Sequence, residues 1–228
     1  QKKDKVLYRV TSPQNNLSLI GEHFLDSGKY AVNIRADGLS LKEWADYLVP
    51  FHEVSVQKGK GNLIFKISSP KDKKKLLSLD GQIDFTQGKA TYQKIQLEQA
   101  AGRVTFSENS AAISALAAKI NQVFIVTNGH ADLSFRPEYL EITLKTLDSS
   151  EGKIAGQLKF AWQKKAPALE AKISFQDFDL ARLSQNSPGI EGKADGDLLI
   201  SGPLDNLHGK LQAKLASALI FGQEINNL

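Results

Sequence analysis

Leu169-Glu170-Ala171-Lys172-Ile173-Ser174-Phe175-Gln176 is the stretch on which the fold turns. Apolar and polar residues alternate there without a break. A period of two is that of a β-strand with one apolar and one wet face. The same period recurs along the chain. Tyr30, Val32, Ile34 and Ala36 alternate with polar or small neighbours, as do Leu63, Phe65 and Ile67, and then Ile83 and Phe85. Leu140, Ile142 and Leu144 follow, then Leu158, Phe160 and Trp162, and finally Leu211, Ala213 and Leu215. Asp80-Gly81, Gln87-Gly88, Asn128-Gly129, Glu151-Gly152 and Asp195-Gly196 are expected to turn the chain between strands. At the usual spacing of about 8–12 residues, on the order of fifteen strands are expected.

Helical signal is sparse. Ser40 stands three residues before Glu43, the arrangement of a capping box. Leu41, Trp44, Ala45 and Leu48 then share one helical face, and Pro50 ends it. Asp179-Leu180-Ala181-Arg182-Leu183 is a shorter version of the same pattern. The alanine-rich segment 110–120 fits either period. It is read as a strand because its neighbours are strands.

Composition excludes several chemistries. The 228 residues contain no Cys, so there is no disulfide, thiolate nucleophile or Cys-based metal centre. The four His are scattered. Lys and Arg number 29 against 25 Asp and Glu, a net charge of +4. No basic tract is interleaved with aromatics, so nucleic acid is not an expected partner. The dense run Lys71-Asp72-Lys73-Lys74-Lys75 reads as a solvated hairpin tip. At 41% hydrophobic and 24% charged, the chain is expected to fold. It opens without Met and stops in mid-pattern at Asn226-Asn227-Leu228. The expectation is one β-rich segment, 1–228, of a longer chain.

An internal repeat organises that segment. Val32 to Trp44 matches Ala171 to Leu183, placing Leu41 against Leu180, 139 residues on. Gly61-Asn62-Leu63 then matches Gly196-Asp197-Leu198 at 135, and Asp80-Gly81 matches His208-Gly209 at 128. Two related units are expected at about 30–106 and 169–228, joined by a strand region at 107–168. A repeated β unit points to an elongated, curled sheet rather than a compact sandwich.

No nucleophile elbow, phosphate loop, zinc-protease helix or dinucleotide fingerprint occurs. Gly59-Lys60-Gly61 reads as a structural turn. Asp177 with Asp179, and Asp195 with Asp197, are spaced to hold a hard cation. A helix cap and a turn explain the same residues without one. No cofactor and no enzymatic activity are expected. What remains is a large amount of one-faced apolar strand and few helices to cover it. Such a sheet closes on itself or keeps an apolar trough for a ligand.

Ile173 to Leu183, followed by Gly189-Ile190-Glu191-Gly192-Lys193-Ala194-Asp195-Gly196-Asp197-Leu198 and Ser201-Gly202-Pro203-Leu204-Asp205-Asn206, resembles the AsmA-like superfamily of Gram-negative envelope proteins. Thr127-Asn128-Gly129-His130-Ala131-Asp132-Leu133 is most similar to its YdbH branch. Leu207-His208 stand where that family often has Pro and a β-branched residue. The resemblance implies a β-taco: a mainly β, curled groove in the periplasm. An inner-membrane anchor outside this segment would tether it. Phospholipid acyl chains would pass along the groove toward the outer membrane. Val32, Ile34, Leu63, Phe65, Ile67, Ile83, Phe85, Leu140, Ile142, Leu144, Leu158, Phe160, Trp162, Ile173, Phe175, Leu211 and Leu215 would line it. The alternative is an envelope scaffold that aids outer-membrane protein assembly by strand addition at an open sheet edge, as in the TamB branch. A hydrolase is disfavoured by the missing motifs.

Overall fold

The computed structural model describes residues 4–12, 16–48, 54–70, 77–92, 94–162, 167–183, 190–220 and 223–226. The basic run 71–75 and Pro50 lie outside them, as do the side chains of Trp44 and Leu48. The chain forms two compact units. The first holds β1 (Lys5–Ser12), β2 (Leu17–Phe24), β3 (Lys29–Ser40), α1 (Leu41–Leu48), β4 (Val54–Ser68), β5 (Ser78–Tyr92) and β6 (Ile95–Ser107). β7 (Ser110–Ile120) is shared, with Ser114–Ala117 counted in the second unit. The second unit continues with β8 (Phe124–Phe135), β9 (Tyr139–Ser149), β10 (Lys153–Ala161), β11 (Ala168–Asp179) and α2 (Leu180–Leu183). β12 (Ile190–Pro203), β13 (His208–Ile220) and β14 (Gln223–Asn226) complete it. Within each unit strand order is chain order, and the strands pair antiparallel. The architecture is thus the expected mainly β one, a curled open sheet with two short helices, and 110–120 is indeed a strand.

The glycine pairs do not turn the chain as expected. Gly81 and Gly88 lie inside β5, Gly129 inside β8, Gly196 inside β12, and Gly59 and Gly61 inside β4. Only Glu151-Gly152 sits between strands. The strands are therefore longer than their alternating cores, up to 15 residues. The reason is bulging. Gln87 and Gln99 take left-handed backbone angles (φ 54° and 53°), and the β5–β6 register shifts beside each. A bulge adds one residue to one strand, bends it and increases its twist. Similar shifts occur in the β3–β4, β4–β5, β8–β9, β9–β10, β11–β12 and β12–β13 pairs. They curl each unit's sheet.

Two bulges aligned by the sequence match share their local geometry. The β3–β4 register shifts between Ala36 and Leu39, and the β11–β12 register shifts between Phe175 and Phe178, positions 139 residues apart. Gly38 (φ 68°) and Asp177 (φ 52°) occupy the same left-handed step. The Gly38 amide donates to Asn62 Oδ1 at 2.8 Å, and the Asp177 amide donates to Asp195 Oδ1 at 2.7 Å. In both units, then, a side chain of the return strand pins the bulge. A helix starts two residues after the buried Leu39 or Phe178 and packs on the return strand. Asp179 Oδ1 accepts the Ala181 amide at 3.0 Å, the expected N-cap bond. The return strands are equivalent at an offset of 133, since Leu39 opposes Gly61 and Phe178 opposes Ala194. Sequence matching places them two residues away, a slip that leaves every side chain on its proper face.

The packed interior is thin. Among the described residues ten apolar ones are buried, and six of them are alanines. Ala36, Leu39 and Leu63 form a small core with Leu17, Phe65 and Ile83 against it. Leu41 of α1 rests where side chains at Gly59 and Gly61 would begin, 2.8 and 2.9 Å from the positions of their missing Cβ atoms. Gly61→Val therefore lowers stability by about 1–3 kcal/mol, measured by the midpoint of urea denaturation. Gly209→Val, whose Cβ would meet only the Leu199 carbonyl at 3.7 Å, shifts that midpoint little.

A candidate apolar ligand face

Residues directly opposite in an antiparallel pair project from the same face. The registers therefore assign faces without ambiguity. In the first unit Val10, Leu19, Ile34, Phe65, Gly81 and Phe106 form one row across β1 to β6. Leu17, Ala36, Leu63, Ile83 and Val104 form the next. Val32 with Ile67, and Phe85 with Gly61, complete that face. In the second unit Ala131, Leu144, Gly156, Ile173, Leu198 and Leu211 form a row. Ile142 with Leu158, Leu140 with Phe160, Ile154 with Phe175, and Ala194 with Leu215 lie beside it. Sixteen of the seventeen residues singled out from sequence are thus placed on one apolar face of their own unit. Trp162 stands one residue past β10, its ring 6.1 Å from Phe160 and its indole N–H donating to the Pro137 carbonyl at 2.9 Å.

That face is half-buried rather than sealed. Leu63 is 6% exposed, whereas Leu211 is 63% and Trp162 41% exposed. Most of the others are intermediate. The face also extends past the bulges, where sequence alternation loses it. Val56, Ala90 and Leu97 oppose one another beyond the bulge line, as do Val54, Tyr92 and Ile95. Even-numbered Ala90 and Tyr92 share a face with odd-numbered Ile83 and Phe85 because Gln87 inserts one residue between them. Val104 with Phe106, and Leu198 with Ile200, were legible as alternating pairs but not singled out.

The opposite face is mainly polar and salt-bridged, with Ile20, Ile64 and Leu199 exposed among its charged residues. Lys145 Nζ lies 2.6 Å from Asp132, and Lys89 Nζ 2.8 Å from Glu98. Glu141, Lys159 and Glu170 stand directly opposite one another, with Lys159 Nζ 4.5 Å from the Tyr139 ring centroid. These exposed pairs keep that face in water, where solvent screens them and leaves them little part in stability. The aspartates spaced for a cation have other partners. Asp179 caps α2, Asp195 pins Asp177, and Asp197 Oδ1 accepts the Ser174 hydroxyl at 2.6 Å. Among the described residues no group of three or more His, Asp or Glu is placed to hold a metal ion. Among the described residues no helix is long and apolar enough to cross a membrane.

Arg103 Nε lies 2.5 Å from Asp84 Oδ1, and the Gln82 side-chain amide donates to Oδ2 at 2.7 Å. The guanidinium holds the Asp84 carboxyl below the usual carboxylate range, with desolvation opposing it and Gln82 assisting. A depressed folded-state pKa means the stabilisation is present above the ordinary carboxylate range and disappears as pH falls through the lowered value. NMR titration of the Asp84 side chain is expected to show a midpoint below that of an unpaired aspartate. In Arg103→Gln the midpoint moves back up.

No family model, no curated protein and no solved structure matches this chain.

Proposed function

We propose that the chain is a non-enzymatic lipid-transfer module whose apolar face carries the acyl chains of phospholipids between membranes. The observation behind this reading is the continuity of the apolar rows across the paired strands of each unit, combined with their half-exposed state. Each methylene buried on such a face contributes about 0.8 kcal/mol, so a long acyl chain binds without polar recognition. The polar head group then stays in solvent at the margin. The resemblance of 169–215 to AsmA-like repeats adds the setting: the periplasm of a Gram-negative envelope, with an inner-membrane tether outside this segment.

Mass spectrometry of the purified chain is expected to find phospholipid bound. Leu158→Lys and Ile173→Asp should each abolish that lipid while the circular dichroism spectrum stays β-rich. Unfolding in both variants would place these residues in a dry core and overturn the reading. A second reading, strand addition, is favoured by β1, which pairs on one side with β2 and has seven of its eight residues exposed. A chain free of lipid that captures an unfolded outer-membrane β-barrel protein through β1 would favour it instead.

A further inference from the structure

β1 stands at the margin of the first unit's sheet and pairs with β2 alone among the described strands. An edge of this kind presents unpaired N–H and C=O groups that template another strand, and sheets usually blunt it with Pro, bulges or charge. β1 has none of these devices on its outer side. No Pro and no register shift interrupts the eight pairs from Lys5–Phe24 to Ser12–Leu17. Lys5 turns inward to Glu22, Nζ to Oε1 3.3 Å. The Tyr8 ring also lies inward, over Gly21, whose missing Cβ makes room for it. The outer side is left as bare backbone flanked by exposed Val6, Leu7 and Val10.

Hydrogen-bond phase selects what can pair there. The Leu25 amide donates to the Asp4 carbonyl at 3.0 Å, so the even-numbered residues of β1 bond to β2. Lys5, Leu7, Arg9 and Thr11 therefore aim N–H and C=O outward, while their side chains lie on the wet face. Another open stretch, His208–Ala216 of β13 beyond the reach of β14, has the opposite phase. The Leu204 amide bonds to the Pro167 carbonyl and the Asn206 amide to Pro203, so Gly209, Leu211 and Ala213 aim outward. Their side chains belong to the apolar face. Directly opposed residues of an antiparallel pair bond toward each other and share a face. Antiparallel pairing of β1 with β13 of another copy would set wet-face residues against apolar ones. Pairing of β1 with β1 carries no such conflict.

We propose that β1 is a self-pairing edge, on which a second copy of this chain lays its own β1 antiparallel about a twofold axis. Charge selects the register. Centring the pair on Leu7 sets Lys5 against Arg9 of the second copy, and centring it on Arg9 sets two arginines together. Centring it on Tyr8 opposes Arg9 to Leu7 and Lys5 to Thr11, with residues 4–12 overlapping throughout. Val6 then meets Val10 on the apolar side, beside the paired Tyr8 residues. The apolar faces of the two first units run on as one across the joint. This inference stands on backbone phase and charge, apart from the lipid-transfer reading. A copy seated on β1 leaves no edge there for the strand of another protein.

The test uses the full 228-residue chain, which has no Cys of its own. Sedimentation over a concentration series is expected to show a monomer–dimer equilibrium. Tyr8 meets its counterpart in a non-hydrogen-bonded pair, where opposed Cα atoms lie about 4.5 Å apart and a disulfide fits. Tyr8→Cys is therefore expected to give a disulfide-linked dimer on mild oxidation. A mixture of Val6→Cys and Val10→Cys chains should give the mixed dimer. Leu7→Cys and the exposed Leu211→Cys should give none. Leu7→Lys brings like charges together twice and should weaken the dimer about tenfold, whereas Leu7→Glu should keep it. Arg9→Pro should abolish it, because the Arg9 N–H aims outward and the bonds to β2 remain. A chain that stays monomeric overturns the proposal. So does equal crosslinking at 7, 8 and 211, or a dimer indifferent to both Leu7→Lys and Arg9→Pro. A monomer that captures an unfolded outer-membrane β-barrel protein through β1 overturns it in favour of strand addition.

Discussion

Between Ala36 and Leu39, and again between Phe175 and Phe178, one extra residue enters a strand while its partner advances by two. The rest of the structure depends on that insertion. Without it, a 12-residue strand such as β3 or β11 would run on with unchanged parity. Leu39 and Phe178 would then fall on the wet side. With it, each returns to the apolar side, is buried, and stands just ahead of a helix start. The bulge needs a left-handed residue and a partner for its amide. Gly38 and Asp177 supply the first, and Asn62 and Asp195 supply the second. A short polar side chain tolerates the left-handed region, which is why Asp can stand where the first unit has Gly.

The glycines follow from the same constraint. A bent sheet brings its own side chains over neighbouring strands, and something must make room. Gly59 and Gly61 make room for Leu41, Gly81 for Phe106, and Gly196 for Phe175. The result is a sheet held by cross-strand pairing and thin local contacts rather than by a deep core. Buried alanines in place of buried leucines are the signature of that economy. The larger apolar side chains are left on one face with part of their surface in water. In a protein with ion pairs spread over the other face, that asymmetry gives the lipid reading its physical basis.

Much of this was legible in the residues. Unbroken alternation in Leu169–Gln176 and its counterparts determines strand and face, because side-chain direction in a strand repeats every two residues. The helix after Ser40 and the cap at Asp179 were readable from local hydrogen-bonding chemistry. So was the equivalence of Leu41 and Leu180. The glycine pairs were misread as turns, since a glycine that admits a ring from the next strand and a glycine that turns the chain look alike in one dimension. The two-residue slip in matching Gly61 with Gly196 arose likewise, because period-two patterns align equally well at every second position.

By itself the sequence determined that the chain is mainly β, which residues alternate, and which of them share an apolar side within one strand. Tertiary structure alone decided how those local stretches join. Parity cannot be carried past a bulge from sequence, so the kinship of Ile83 with Ala90, or of Phe175 with Phe178, appears only when hydrogen-bond register is known. The meeting of Phe65 with Phe106 is of the same kind. It requires two strands 41 residues apart to flank one glycine, and no local pattern encodes a contact made across a third strand.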